Sequence, residues 1–225
     1  GWTGPAFVGL GILATHFWLH IVKVNRFVGA VCAAALMLSG LLASLAMNTD
    51  LVRMIGVPFP YSLDPSSRLR GWKSLAETVD KLRANFEKKI GAKVFMIGDK
   101  YQTSSLLSFY LKDKRVEGPG HPPVYIPESQ DIENEFSFWP RYDEFVDAGP
   151  SSQRDTAFSE ESGTNPFIDR TALYITDSPE ASPPQNLQSA FTRWELLAVY
   201  ELERRHLPLR QIRVFACYQY QTLPL

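Results

Sequence analysis

The sequence predicts an α/β protein built in two parts: a pair of transmembrane helices, then a Rossmann-like soluble domain that closes with a β-hairpin. Three observations predict it. The run Phe27 to Met47 holds 21 residues without a charge, and a second apolar stretch, Pro5 to Val22, lies just upstream. Residues 1–47 carry two formal charges, Lys23 and Arg26, while the remainder is rich in charge, proline and serine. Within that remainder a short apolar strand, a polar turn and a helix follow one another, which is how an α/β layer begins.

The spans come first. A bilayer core is about 30 Å thick and a helix rises about 1.5 Å per residue, so roughly 20 apolar residues cross it. The stretch 27–47 meets that length without tilt. The stretch 5–22 sits at the lower end of the range and carries His16 and His20. Lys23 and Arg26 in the turn between them predict a cytoplasmic turn, which puts the chain after Met47 on the outer face. A cleaved signal peptide needs a basic start and a small-residue cleavage site, and Gly1-Trp2-Thr3-Gly4 offers no basic flank. A buried helical pair of a soluble protein is disfavoured by two nearly charge-free spans in succession. The abrupt entry into an apolar run, with no initiator Met, suggests the C-terminal piece of a longer membrane protein. Gly29, Ala33, Gly40 and Ser44 suggest close helix packing in the second span. His16 and His20 are one helical turn apart, a spacing able to hold a metal, but no third ligand is evident and interfacial hydrogen bonding is the favoured reading. Trp18 beside them fits an aromatic belt.

With 23 basic and 24 acidic side chains the net charge is −1, which argues against a nucleic-acid-binding surface. Cys32 falls mid-membrane and Cys217 in a predicted strand, so a mutual disulfide is implausible. Residues 48–66 read as a connector, broken by Pro58, Pro60 and Pro65, whose Val52, Met54, Ile55, Val57 and Phe59 keep it close to the lipid surface. Residues 67–225 are the outer domain, large enough for a core of its own. From Ser67 a helix begins, with Trp72, Leu75, Val79, Leu82 and Phe86 at spacings of three and four and Gly91 as its stop. Lys93 to Gly98 is a short buried strand, Asp99 to Thr103 a polar turn, and Ser104 to Leu111 a second helix. Pro122 to Ile126 reads as a strand, Glu128 to Pro140 as an irregular aromatic loop, and Tyr142 to Ala148 as a short extended piece. Residues 149–166 are polar and without period, an exposed loop. Ala172 to Thr176 is a strand and Pro184 to Phe191 a short helix. Two alternating runs, Trp194 to Glu203 and Gln211 to Tyr220, close the chain around His206-Leu207-Pro208. In the second run Ile212, Val214, Ala216 and Tyr218 share one face, and Arg213, Phe215 and Cys217 the other.

Four segments carry a family resemblance. Asp64-Pro-Ser-Ser-Arg-Leu-Arg-Gly-Trp72 resembles the linker after the last membrane helices of bacterial family 39 glycosyltransferases, of the dolichyl-phosphate-mannose protein mannosyltransferase and aminoarabinose transferase type. Tyr101 to Leu111, Phe136-Ser-Phe-Trp139 and Trp2 to Phe7 are similar to further segments of that family. The resemblance spans most of the chain and thins through residues 141–170. It implies a GT-C fold in the bacterial inner membrane, multi-pass, with the C-terminal domain on the periplasmic side. It implies transfer of a sugar from a polyprenyl-phosphate donor to a lipid, glycan or protein acceptor. The catalytic acidic residue of that family lies in its first outer loop, which no position here matches. This chain would then hold the last two spans and the outer domain, pack against upstream transmembrane helices, carry no cofactor of its own, and be inactive alone. Whether the full protein holds a divalent metal stays open.

On that expectation Arg68, Arg70 and Lys73 lie where a polyprenyl phosphate would present its anionic group, and arginine pairs with phosphate in bidentate fashion. The alternative is a solvated helix face or contact with lipid headgroups. Trp72 beside them is a sugar platform or, the favoured reading, an interfacial or core anchor. The turn after the first strand is where α/β sheets bind ligands. There Tyr101 and Gln102 could hydrogen-bond a sugar and Asp99 accept from its hydroxyls. The favoured alternative is structural: Asp99 or Thr103 caps the helix and Tyr101 packs against the membrane portion. No glycine-rich phosphate cradle accompanies the turn, so a nucleotide is not expected. Glu133, Glu135, Asp143 and Glu144 could resemble a glycosidase pair, but nothing sets two of them across a cleft, and a solvated loop is the better reading. A competing class is a membrane-tethered, non-catalytic module that binds a periplasmic glycan or a partner protein through its sheet edge or aromatic loop. The reading frame upstream of Gly1 discriminates the two. A soluble hydrolase is disfavoured, because four His residues yield no nucleophile–base–orienter set.

Overall fold

A computed structural model of the chain describes residues 4–24, 26–54, 56–57, 64, 67, 70–118, 120–127, 135–143, 165–204 and 207–221. The chain divides into two compact units, Gly1–Arg68 and Leu69–Leu225.

The first unit is helical. Helix α1 runs Gly4–Val24 and α2 runs Arg26–Met47. α2 is long and apolar enough to cross a membrane, whereas the described side chains of α1 give a shorter apolar run, Val8–His20. α2 buries none of its residues. A Cβ built on Gly40 would meet nothing within 4 Å, so among the described residues no neighbour packs closely on Gly40. Ser44 instead donates its hydroxyl proton to the Gly40 carbonyl of its own helix (2.8 Å), which satisfies a polar side chain without a neighbour. A short helix α3, Asp50–Met54, follows.

The second unit is a mixed α/β layer. Its elements are α4 (Trp72–Ile90), β1 (Phe95–Gly98), α5 (Tyr101–Tyr110), a 3₁₀ turn at Glu135–Phe138, β2 (Ala172–Thr176), α6 (Gln185–Ala190), β3 (Phe191–Arg204) and β4 (Leu207–Tyr220). The sheet order is β1-β2-β4-β3. β1 and β2 are parallel, with Phe95 opposite Ala172 and Gly98 opposite Ile175. β2–β4 and β3–β4 are antiparallel, so the predicted terminal hairpin is present.

Both faces are covered at β1, β2 and residues 214–217 of β4, which is why β1 and β2 read as near-continuous apolar runs, whereas β3 is exposed or half-buried along most of its length. On one face Met96, Leu173, Ile175, Ile212, Val214 and Ala216 pack under Leu75, Val79 and Phe86 of α4 and Leu107 of α5. On the other, Phe95, Ile97, Ala172, Tyr174, Phe215 and Cys217 meet an aromatic cluster of Tyr125, Tyr142, Phe167, Phe191 and Tyr220. The alternation read in 212–218 therefore holds, with both sets buried rather than one. Cys32 and Cys217 are free thiols, and burial pushes the Cys217 thiol up to about 12.

Several element boundaries differ from expectation, including β3, which starts at Phe191 and not Trp194. α4 starts at Trp72 and not Ser67, because Gly71 takes a left-handed backbone (φ +82°), where a Cβ would stand 2.9 Å from Leu209 Cδ2. α5 starts at Tyr101, so Tyr101, Gln102 and Thr103 form its first turn. The 122–126 segment is no full strand: it makes one parallel bridge, Tyr125 to Ile97. β4 already includes Leu207 and Pro208, and Pro208 is tolerated because β2 pairs only with residues 213–217 of that strand. At the other end of α4, Gly91 closes the helix as predicted, its N–H donating to Glu87 O (2.9 Å). Residues 144–164 and the side chain of Phe136 lie outside the described residues.

Candidate functional site

From β1 the chain passes through α5 to the 122–126 segment on one side, then returns to β2 on the other. Gly98 N–H donates to Tyr125 O and Asp99 N–H to Ile175 O, both at 2.9 Å. The C-terminal end of β1 is thus a reversal point of the topology, the position at which open α/β sheets leave a crevice. Gly98 is required there by contact. A Cβ would stand 2.5 Å from Ser104 Oγ and 2.9 Å from the Ser104 backbone nitrogen, so α5 can approach the strand end only over a glycine.

Two features occupy this end. The first is a polar clasp. Asp99 Oδ1 accepts from Thr103 Oγ1 (2.5 Å), and Oδ2 accepts from Thr176 Oγ1 (3.0 Å) and from Asp177 N–H (3.2 Å). Lys100 Nζ donates to Asp177 Oδ1 (2.6 Å). Arg213 from β4 donates to Ser178 O (2.7 Å). Burial, and then the neighbouring Asp177 charge, push the Asp99 carboxyl above its ordinary range against the Thr103 hydrogen bond and the Lys100 charge. Burial pulls Asp177 the same way, but the hydrogen bond and charge of Lys100 outweigh it and hold that carboxyl below its ordinary value. Two carboxyls with opposite shifts would suit acid–base work. Asp99, however, has both oxygens engaged in tying β1, β2 and the first turn of α5 together. The clasp is architectural, and Asp99 does not cap α5: Lys100 is the N-cap residue, with no side-chain cap bond.

The second feature is a small open groove beside Ser104, lined by Pro122, Tyr125, Trp139, Pro140 and Arg141. Ser104 Oγ donates to Tyr125 O (2.8 Å), and the Arg141 guanidinium holds Asp143 through two bonds of 2.9 and 2.6 Å. Trp139 is 44% exposed and the adjacent Phe138 73%. The groove encloses only about 10 Å³, room for about one water, so its chemical interest is the exposed indole face at its edge.

The residues singled out in the sequence separate as follows. Trp72 is only 3% exposed, in the core, with the Arg210 guanidinium 4.5 Å over its ring; it is a core anchor and presents no face to a sugar. Lys73 is exposed on α4, Arg70 is half-buried, and Arg68 lies outside the described residues. Tyr101 and Gln102 are exposed at the start of α5 and bond each other, Gln102 Nε2 to Tyr101 Oη at 2.9 Å. Asp143 pairs with Arg141 and Glu135 opens the 3₁₀ turn, while Glu133 and Glu144 lie outside the described residues. No group of three metal-ligating side chains occurs among the described residues, His16 and His20 included. Thr176 and Asp177 were not singled out, although the sequence carries the signal: both parallel strands end in the same pattern, Ile97-Gly-Asp99 and Ile175-Thr-Asp177.

Comparison with protein-family models, with curated proteins and with solved structures found no match to this chain.

Proposed function

We propose that this chain is the C-terminal part of an integral-membrane glycosyltransferase of the polyprenyl-phosphate-dependent kind. In this reading both α1 and α2 span the inner membrane and the second unit is a Rossmann-like domain on its outer side. The groove by Trp139 contributes to acceptor or donor-sugar recognition, and Arg68, Arg70 and Lys73 face the lipid-borne phosphate. The catalytic acid is supplied by upstream sequence. One observation carries the reading: two segments that resemble the glycosyltransferase family, 101–111 and 136–139, are far apart in sequence yet supply Ser104 and Trp139 to one groove at the C-terminal end of β1. Helix α2, which has no buried residue and carries no charge after Arg26, supports the membrane part of it.

The exposed pair Phe138 and Trp139 favours a second reading, a tethered module that binds a glycan without chemistry. One experiment separates the two. Membranes holding the chain in its native reading frame are assayed for transfer of radiolabelled sugar from a polyprenyl-phosphate donor, with Trp139→Ala and Lys73→Ala as variants. Protein-dependent transfer that falls at least about tenfold in each variant, about 1.4 kcal/mol of lost stabilisation, is the expected result. Transfer indifferent to both substitutions removes the second unit from substrate recognition. Glycan binding with no transfer at all leaves the module.

A further inference from the structure

The segment after α2 is turned inside out. Thr49, Asp50 and Asp64 are buried, Asp64 to 2%, and Arg53 is nearly so. Arg53 Nη1 bonds Asp50 Oδ1 (3.0 Å) and Thr49 Oγ1 (3.1 Å), while Nη2 bonds Asp64 Oδ2 (3.1 Å). Thr49 Oγ1 also donates to Asp64 Oδ2. Three apolar side chains of the same stretch are exposed: Leu51 and Met54, three apart on α3, and Val57 beyond its end, Met54 to 70%. In water this arrangement is doubly unfavourable, since it withdraws charges from solvent and leaves large apolar side chains in it. Against lipid it is favourable on both counts.

We propose that α3 and the residues flanking it form an interfacial anchor whose Leu51–Met54–Val57 face lies in the acyl-chain boundary of the membrane that α2 crosses. The Asp50–Arg53–Asp64 clasp, joining residues 11 and 14 apart, removes the charges of that stretch from the contact surface. This occupant is a lipid surface and not a protein groove because the segment follows directly on a 22-residue helix with no buried residue, whose residues from Phe27 onward carry no charge, and because Met47 at the junction is itself exposed. The structure also revises which residues serve. Leu51, unnamed among the connector residues expected near lipid, lies on the exposed face, whereas Val52 is half-buried. Since Arg53 is engaged by two carboxylates, the contact is apolar and needs no anionic headgroup.

The inference rests on the membrane reading of α2 and not on sugar transfer. It is tested on the full chain, in a Cys32→Ala background where buried Cys217 stays unlabelled, with an environment-sensitive fluorophore at Met54→Cys or at Leu38→Cys within α2. The probes are vesicles of phosphatidylcholine, alone or mixed with phosphatidylglycerol, carrying nitroxide quenchers shallow or deep in the acyl chains. Aqueous iodide is the opposing quencher. The expected result is strong quenching at Met54 by the shallow nitroxide, equal in both lipid mixtures, and quenching at Leu38 by the deep one. Iodide access at Met54, shielding from both quenchers, or quenching only in anionic vesicles overturns the inference while Leu38 stays lipid-quenched. Failure at Leu38 overturns the membrane reading as well.

Discussion

Leu36, Met37 and Leu41 on α2 are as apolar as Leu173, Ile175 and Val214 in the sheet, yet the first three are exposed and the last three fully buried. Charges are turned inward in both units, since the second also buries Arg83 against Asp80 and Asp113, but the balance differs. Asp50, Arg53 and Asp64 are turned inward in the first unit, while Lys73, Lys88 and Lys89 of α4 stand out from the second. Apolar side chains are thus placed oppositely in the two units. Apolar burial stabilises only where the alternative is water. On the proposed membrane reading, α2 gains nothing by hiding its leucines from a solvent as apolar as they are.

The largest expected effect breaks the comparison on the water-facing side. Phe95 sits at the centre of the aromatic face, 4.9 Å from the Phe167 ring and 5.3 Å from that of Tyr142. Phe95→Ala removes that centre and should cost about 3–5 kcal/mol. Amide exchange across β1, β2 and β4 in detergent solution should accelerate accordingly, with α2 unchanged; equal acceleration in α2 would mean that the two units share one stability. Next comes the lipid-facing side. Leu38→Asp exchanges a residue favoured at a helix centre for one opposed there, a difference of about 3–4 kcal/mol on insertion scales. Leu38 is exposed and belongs to no core, so the second unit should keep its exchange pattern while the chain is lost from the alkali-washed membrane fraction. Retention in that fraction would remove α2 as a membrane anchor.

How much of this was legible beforehand depended on how local the signal was. α2, α4, β2 and the pairing of the last two strands follow from periodicity and breakers over stretches of five or more residues, and Gly91 stops α4 as its type predicts. The start of α4 was misjudged because the interruption at Gly71 depends on Leu209, far along the chain. α5 began earlier than its polar first turn suggested, since Thr103 is held by Asp99 rather than by solvent. Likewise 122–126 reads as a strand by composition but gains only one bridge, at Tyr125. The groove could not be read at all. Trp139 and Ser104 meet only through the approach of α5 to Gly98, a contact no local pattern encodes. The inverted polarity of α3 was half visible: its apolar residues were evident, but Asp64 as the partner that hides Arg53 was not.

The smallest effect, and the one that sharpens the comparison most, concerns a partly buried ion pair of the second unit. Glu87 near the end of α4 bonds Arg115 (2.7 Å) and the Val94 N–H (2.9 Å), fastening the helix to the start of β1. Burial alone would raise its carboxyl, but the Arg115 hydrogen bond, the Val94 N–H and the Arg115 charge outweigh burial and leave it below its ordinary value. A carboxyl depressed in the folded state contributes stability that is present above its unfolded value, about 4.5, and is lost as pH falls through the folded value. Asp99 has the opposite sign: raised in the folded state, its contribution is present below the ordinary aspartate range and lost as pH rises. Glu87→Gln should therefore lower the stability of the second unit by about 1 kcal/mol at neutral pH, in the range of a partly solvated charged hydrogen bond. The gap to the parent should close as pH falls through the depressed folded value, once the glutamate is protonated in both states. Urea titrations at neutral and acid pH, read by exchange at β1, check it. A gap that stays constant with pH would assign the loss to packing and not to charge, and would leave the second unit as indifferent to its ion pairs as α2 is to having none.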